Sequence, residues 1–298
     1  MPDPTAQAAA AEGLSRELGL TFEAQDILLA RGAHGGLATA LGAVVEPGDE
    51  VVFVSPPWFF YEALILGAGA TPVRVRVDET SFDLDLDALE GALTARSRAV
   101  ILNTPHNPTG RLYPPATLER LAVTLESASR RNGRPICLVS DESYSRSLFD
   151  GHRFHTPARW YPYTFLVHTS SKSALAPGQR LGFVALPPTM PDRESVRLAF
   201  LAVGMALGNG LPDAIMQYAL PDIERLQVDL EHCSASEIAW WVRSASRAIR
   251  SIHPRGRSIS CRAVRCLTTG PSPSGSHATR LWSCRAERSR CRATCACR

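Results

Sequence analysis

The sequence predicts an α/β domain built on a mostly parallel sheet, and three observations point there. Short β-rich runs alternate with helical patterns from about residue 50 to residue 186. Residues 136–139 and 165–167 are apolar without alternation, as in strands covered on both faces. The chain has 298 residues, 45% of them hydrophobic, which is enough apolar material for a substantial core.

Residues 5–19 read as a helix, with alanines and Leu14/Leu18 on one face and Gly19 as its stop. Residues 37–45 form a second helix, entered through the small-residue turn Gly32-Ala33-His34-Gly35-Gly36. A helix N-terminus entered this way suits an anion, because its first amides lack intrahelical partners. A strand is expected at 50–54, a helix at 58–66, a strand at 72–77, a helix at 84–93 and a strand at 99–102. A helix at 115–131 follows, then strands at 136–140, 165–169 and 181–186. Helical spacing returns at 193–207 and at 212–232, where Ile215, Ala219, Ile223, Leu226 and Leu230 recur on one side. In sheets of this kind ligands sit beyond the carboxyl ends of the strands.

Composition divides the chain at about residue 233. The net charge of +3 conceals +11 in residues 233–298, with 13 Arg against two Glu, and −8 in the first 232 residues. Seven of the eight cysteines also lie in that last segment, leaving Cys137 alone in the main body, which suits a reducing compartment. No stretch approaches the ~20 apolar residues that span a bilayer, and the first residues lack the pattern of a signal peptide. A cytoplasmic protein is the expectation. Of the 32 basic residues 31 are arginine, and the only lysine is Lys172. An arginine-rich composition explains why lysine is scarce, not where one is kept. A lysine amine forms a Schiff base with a carbonyl, and a guanidinium does not.

Four segments carry the chemistry. Asn103-Thr-Pro-His-Asn-Pro-Thr-Gly110 follows a strand and ends in turn residues. Ser140-Asp-Glu-Ser-Tyr144 puts Asp141 at the end of a buried strand, where an aspartate also serves as a cap or turn former. His168-Thr-Ser-Ser-Lys-Ser173 holds the lysine, and Pro177-Gly-Gln-Arg-Leu-Gly182 brings Arg180 eight residues beyond it. In this order and at these spacings the segments resemble the class I/II aminotransferases among the fold type I pyridoxal-phosphate-dependent enzymes. The resemblance covers about residues 14–232 and is strongest from 30 to 186.

The resemblance implies the large domain of a fold type I transferase, with pyridoxal 5′-phosphate (PLP) as cofactor. Lys172 would hold PLP as a Schiff base and, once freed, shuttle the substrate's α proton. Asp141 would pair with the protonated pyridine nitrogen and sustain the ring as an electron sink. Asn107 and Tyr144 match partners of the cofactor's phenolic oxygen, with Tyr144 counted beside Lys172 and Asp141 as catalytic. Arg180, Thr169 and the backbone amides of Ala33 and His34 match the phosphate cup, although many relatives carry a hydroxyl where His34 stands. Trp58 matches the aromatic that stacks on the pyridine ring, and as a residue it equally suits a core. Phe59, Phe60 and Tyr61 receive no role beyond packing or pocket lining. An amino acid and a 2-oxo acid as substrates and a homodimer are implied too. A PLP-dependent lyase of the same fold, or a truncated remnant that only binds PLP, are the alternatives.

Four parts follow: an N-terminal helical remnant at 1–26, the PLP-binding domain at 27–207, a helix at 208–232 leading to a missing small domain, and the tail at 233–298. Helical periodicity breaks at Cys233, with at most a further helix at 237–249, so the tail is expected to be read in a shifted frame and to stand outside the fold. A basic nucleic-acid arm is the rival reading of its charge. A zinc site is weaker still, since Cys261/Cys266 and Cys291/Cys295/Cys297 make no recognised pair of knuckles. No arginine of the tail is assigned to the substrate carboxylate.

Overall fold

Asp3 opens the first helix, α1 (Pro4–Leu18), by accepting a hydrogen bond from the Thr5 amide, and Gly19 closes it at φ 64° in the left-handed region. This is a computed structural model, and it describes residues 2–149, 151–226 and 228. The expected helix at 237–249, the tail cysteines and the end of the expected 212–232 helix lie outside those residues.

Strand β1 (Ile27–Ala30) comes next, and the sequence reading had no strand there. Its four apolar residues are all buried, so it shows neither alternation nor length to announce it. Helix α2 (Gly32–Val44) begins five residues earlier than expected, because the small-residue turn is itself the first helical turn. Strand β2 (Glu50–Ser55), helix α3 (Tyr61–Gly67), strand β3 (Thr71–Arg76), helix α4 (Leu86–Ala92) and strand β4 (Ser97–Asn103) follow. The expected helix at 58–66 thus starts at Tyr61 and leaves Trp58 in the turn before it. Helix α5 (Pro115–Asn132) and strands β5 (Cys137–Asp141) and β6 (Thr164–Thr169) lead to the short α6 (Ser170–Ser173). Strand β7 (Gly182–Ala185) and helices α7 (Arg193–Ala206) and α8 (Ala214–Ile223) complete the described residues.

The seven strands form one sheet in the order β1-β7-β6-β5-β4-β2-β3. All neighbouring pairs from β6 to β3 are parallel, and β7 runs antiparallel to both β6 and β1. Register sets Asn103 beside Asp141 and Asp141 beside Val167, so the carboxyl ends of β4, β5 and β6 form one edge. That edge is where a ligand belongs in such a sheet.

Alternation within the strands divides the core. Val51, Phe53, Ile101, Val139 and Val167 pack with Leu37 and Leu41 of α2 and Phe200 of α7. Val52, Val54, Val100 and Leu138 pack instead with Leu89 of α4 and Leu118, Leu121 and Leu125 of α5. The last three recur at helical spacing, and burying each such leucine contributes about 2 kcal/mol. Leu166, Phe183, Ile27 and Leu29 take up the third cluster with Ala10 and Leu14 of α1 and Leu220 of α8.

One close approach fixes the start of α2 against the sheet. A Cβ on Gly182 would stand 2.5 Å from the His168 carbonyl oxygen and 2.9 Å from the Gly32 Cα, both backbone atoms. Gly182→Ala is therefore expected to destabilise the protein by about 3 kcal/mol, since the backbone has to move. Urea unfolding of the two proteins checks this, and an unchanged midpoint would contradict it.

Candidate active site

The carboxyl edge of the sheet gathers the residues singled out in the four segments. Asp141 ends β5 with 5% of its surface exposed, and its carboxylate is already engaged on both oxygens. Oδ1 accepts from the Ser143 amide (3.2 Å) and the Ser143 hydroxyl (2.5 Å), while Oδ2 accepts from the Tyr61 hydroxyl (2.7 Å). A carboxylate has about four acceptor sites. Three are used, so one direction remains, on Oδ2, for a further donor. Burial and the Asp141 charge hold the Tyr61 hydroxyl well above its ordinary pKa, so it stays protonated as a donor.

Tyr61 is the functional candidate the sequence reading left without a role. It lies 80 residues from Asp141 in sequence, and only its place three residues after Trp58 hinted at the site. Asn103, the first residue of its motif, also does more than turn the chain. Its Nδ2 donates to the Asp141 carbonyl (2.9 Å) and its Oδ1 accepts from the Asn107 amide (2.6 Å), tying the Asn107 loop to β5.

Lys172 lies in α6, exposed, with its Nζ 5.3 Å from the centre of the Tyr144 ring. The Tyr144 hydroxyl is pushed up to about 12, first by burial and then by the Asp141 charge. Lysine, tyrosine and aspartate thus lie at one edge of the sheet. Thr169 caps α6: its Oγ1 accepts from the Ser171 amide (3.2 Å) and lies 3.2 Å from the Leu181 carbonyl. This ties the lysine turn to the segment that carries Arg180.

The start of α2 is electrostatically unusual. Its N-cap residue is Arg31, which makes no side-chain cap, and the first turn holds no acidic residue. Arg180, itself at φ 51°, places its Nη2 only 2.6 Å from where a Cβ on Gly32 would be. The guanidinium otherwise bonds the Pro177 carbonyl at 2.8 Å and meets the Ser171 hydroxyl at 3.4 Å, and it forms no ion pair among the described residues. A cation beside a helix N-terminus faces unpaired amides of its own sign and costs roughly 0.3–1 kcal/mol. A bound anion removes both problems at once. Ala33 and His34 lie in this first turn, half-buried, and burial followed by the Arg180 charge lowers the His34 pKa.

Trp58 lies beside this turn, half-buried, with its ring edge-on to His34 at 5.9 Å and to Phe60 at 5.1 Å. The structure brings it to the same edge as Asp141 through Tyr61, whose ring it meets at 5.5 Å. Asn107 is half-buried, and its amide bond to Asn103 is the contact that locates it.

His106 braces this loop from beneath. Burial lowers its pKa to about 4 against an opposing bond to the Pro56 carbonyl, and its Nδ1 lies 2.7 Å from the Thr109 hydroxyl. Between about pH 4 and pH 6.5 the unfolded chain binds the proton that the folded one refuses, so this group's contribution is full above pH 6.5 and is lost as pH falls. The expected loss is about 3 kcal/mol. Denaturant unfolding across this range should show a steeper acid loss in the wild type than in His106→Gln, and parallel curves would refute it.

The comparisons with known proteins bear on the family and the fold. Residues 2–220 match the family model described as aminotransferase class I and II. The chain is 32% identical over 219 residues to the aspartate/prephenate aminotransferase of Thermus thermophilus, covering 72% of this chain and 53% of that protein. It is 32% identical over 267 residues to an arginine–pyruvate transaminase of Pseudomonas aeruginosa, covering 88% of this chain and 59% of that one. That match is longer than residues 1–232, so it takes in part of the segment set apart by composition. Among solved structures, an amino transferase from Eubacterium rectale matches with a TM-score of 0.76 at 31% identity, over 78% of this chain and 59% of that one. The chain spans about half the length of the curated relatives it matches.

Proposed function

Since the chain belongs to the class I and II aminotransferase family, we propose that it is the cofactor-binding part of a PLP-dependent aminotransferase, acting on an amino acid and a 2-oxo acid. The observation that carries the reading is the Arg180 guanidinium packed onto the uncapped start of α2, two features that together favour an anion. The donor set fits the rest of the cofactor: one free acceptor direction on a buried carboxylate, the chain's only lysine, and an aromatic ring at one edge.

When bound, PLP supplies a carbonyl that condenses with an amine and a cationic ring that takes up electrons. Lys172 would be the amine that holds it and, when free, would accept and return the proton at the substrate's α carbon. Asp141 would present its open Oδ2 direction to the ring nitrogen, with Tyr61 and Ser143 keeping the carboxylate fixed. Arg180, Thr169 and the amides at Ala33 and His34 would hold the phosphate, Asn107 and Tyr144 would donate to the phenolic oxygen, and Trp58 would pack against the ring.

Aspartate, prephenate and arginine with pyruvate, named for the relatives, are the first substrates to try. The purified chain, supplied with PLP and an amino donor, is expected to convert 2-oxoglutarate or pyruvate to the corresponding amino acid. Folded, PLP-loaded protein that transfers no amino group from any donor would overturn the reading. The large side chains exposed on α7 and α8, among them Leu198, Met205, Ile215 and Tyr218, support a homodimer. Sedimentation gives its mass directly. Among the described residues no helix is long and apolar enough to cross a membrane. The cytoplasm is the proposed compartment on a separate ground, the lone cysteine of the main body.

A further inference from the structure

The chain's only side-chain ammonium has a ring, and not a carboxylate, for its partner. Among the described residues Lys172 forms no ion pair and no side-chain hydrogen bond. Its Nζ lies over the face of the Tyr144 ring, 5.3 Å from the centroid, inside the ~6 Å within which the negative face of an aromatic ring attracts a cation.

The sheet edge brings the two together. After Asp141 ends β5 the chain turns: the Ser143 amide bonds the Asp141 carboxylate (3.2 Å), the Ser145 amide the Glu142 carbonyl (2.9 Å) and the Ser147 amide the Tyr144 carbonyl (2.9 Å). These bonds hold the backbone on both sides of Tyr144, whose side chain is half-buried. Strand β6 pairs with β5 and ends at Thr169, and α6 follows at once with Lys172 as its third residue. Tyrosine and lysine therefore arise from the ends of neighbouring parallel strands. Burial, and then the Asp141 charge, keeps the Tyr144 hydroxyl protonated. What Tyr144 offers the cation is its π face.

We propose that the face of the Tyr144 ring is a docking site for the Lys172 ammonium, and that Tyr144 thereby acts as a positioning residue, keeping the amine at the sheet edge whenever it is not held covalently. This role belongs to the ring and is separate from the one proposed above for the hydroxyl. A ring suits the task better than a carboxylate would. An amine that has taken up a proton is a cation, and a π face attracts that loaded form without competing for the proton. The attraction is also weak enough to release, since at a site open to solvent it amounts to about a two- to fivefold preference for the docked arrangement. Lys172 is exposed and its stem is flexible, so the amine can leave the ring. The docking stands on the geometry alone, while its part in proton transfer rests on the proposed function.

The single lysine makes the test direct. Full-length protein grown with isotope-labelled lysine gives one ε-methylene resonance. In the PLP-free protein this resonance is expected upfield of free lysine, with nuclear Overhauser contacts to the Tyr144 ring. Tyr144→Phe should keep the upfield shift and Tyr144→Leu should lose it. A wild-type resonance at the free-lysine position, or a shift that survives in folded Tyr144→Leu, overturns the docking. Absence of the ring contacts from the wild type overturns it too, even where the leucine variant does not fold. Loading with PLP should move the resonance, and an amino donor added without a 2-oxo acid should return it to the upfield position as Lys172 is freed. A freed lysine that reappears at the free-lysine position overturns the positioning role. Wild-type protein that binds no PLP would fail the functional reading instead, and the PLP-free spectrum would still decide the docking.

Discussion

Lys172→Ala is expected to abolish covalent capture of PLP and to lower amino-transfer kcat/KM by at least about a thousandfold, since one amine serves as both anchor and proton carrier. The test is unusually direct here. Borohydride reduction of the PLP-loaded wild type should add one cofactor mass to the peptide containing residue 172, because no other lysine exists in the chain. The variant should gain none beyond the α-amino group. It should still bind PLP without a covalent link, because Arg180 and the start of α2 are untouched. Labelling of the variant at the wild-type level would remove Lys172 from the site.

Asp141→Asn is expected to cost about a thousandfold in kcat/KM while leaving the fold in place, because it keeps the shape of the carboxylate and removes its charge. The amide nitrogen would also face a donor that the carboxylate accepted, either Tyr61 or Ser143. Affinity for PLP should fall less than activity does, since the phosphate contacts are elsewhere. Tyr61→Phe removes one of three donors to Asp141, and a loss of about tenfold is expected. Steady-state kinetics and PLP titration of both variants separate these effects. An Asp141→Asn protein with near wild-type turnover would mean that the carboxylate does not face the ring nitrogen.

The positions of the candidate site residues were legible where they sit on strand ends, where a short run of residues fixes a side chain in space. Asp141, Asn107, Lys172 and Arg180 each lie within a few residues of a buried strand that periodicity could locate. The contacts that support them were not legible, because they join distant segments: Tyr61 to Asp141 and His106 to Pro56. Nothing local in Tyr61 distinguishes a core tyrosine from a donor to a buried carboxylate. The missed strand β1 and the shifted starts of α2 and α3 have a common cause. Four buried apolar residues fit a strand or a helix equally well, and small or aromatic residues at a helix entry leave its first turn ambiguous.

The position of β5 in the sheet has a consequence for exchange of backbone amide hydrogens. It is the fourth of seven strands, paired on both sides, so its amides open only with the whole sheet and should be among the slowest to exchange. The four-residue α6 is held by its cap and a few turn bonds, and it can open locally. Lys172 can therefore be released and recaptured on a short timescale while Asp141 stays fixed, so the apoprotein should keep protected β5 amides and gain protection at α6 when PLP is added.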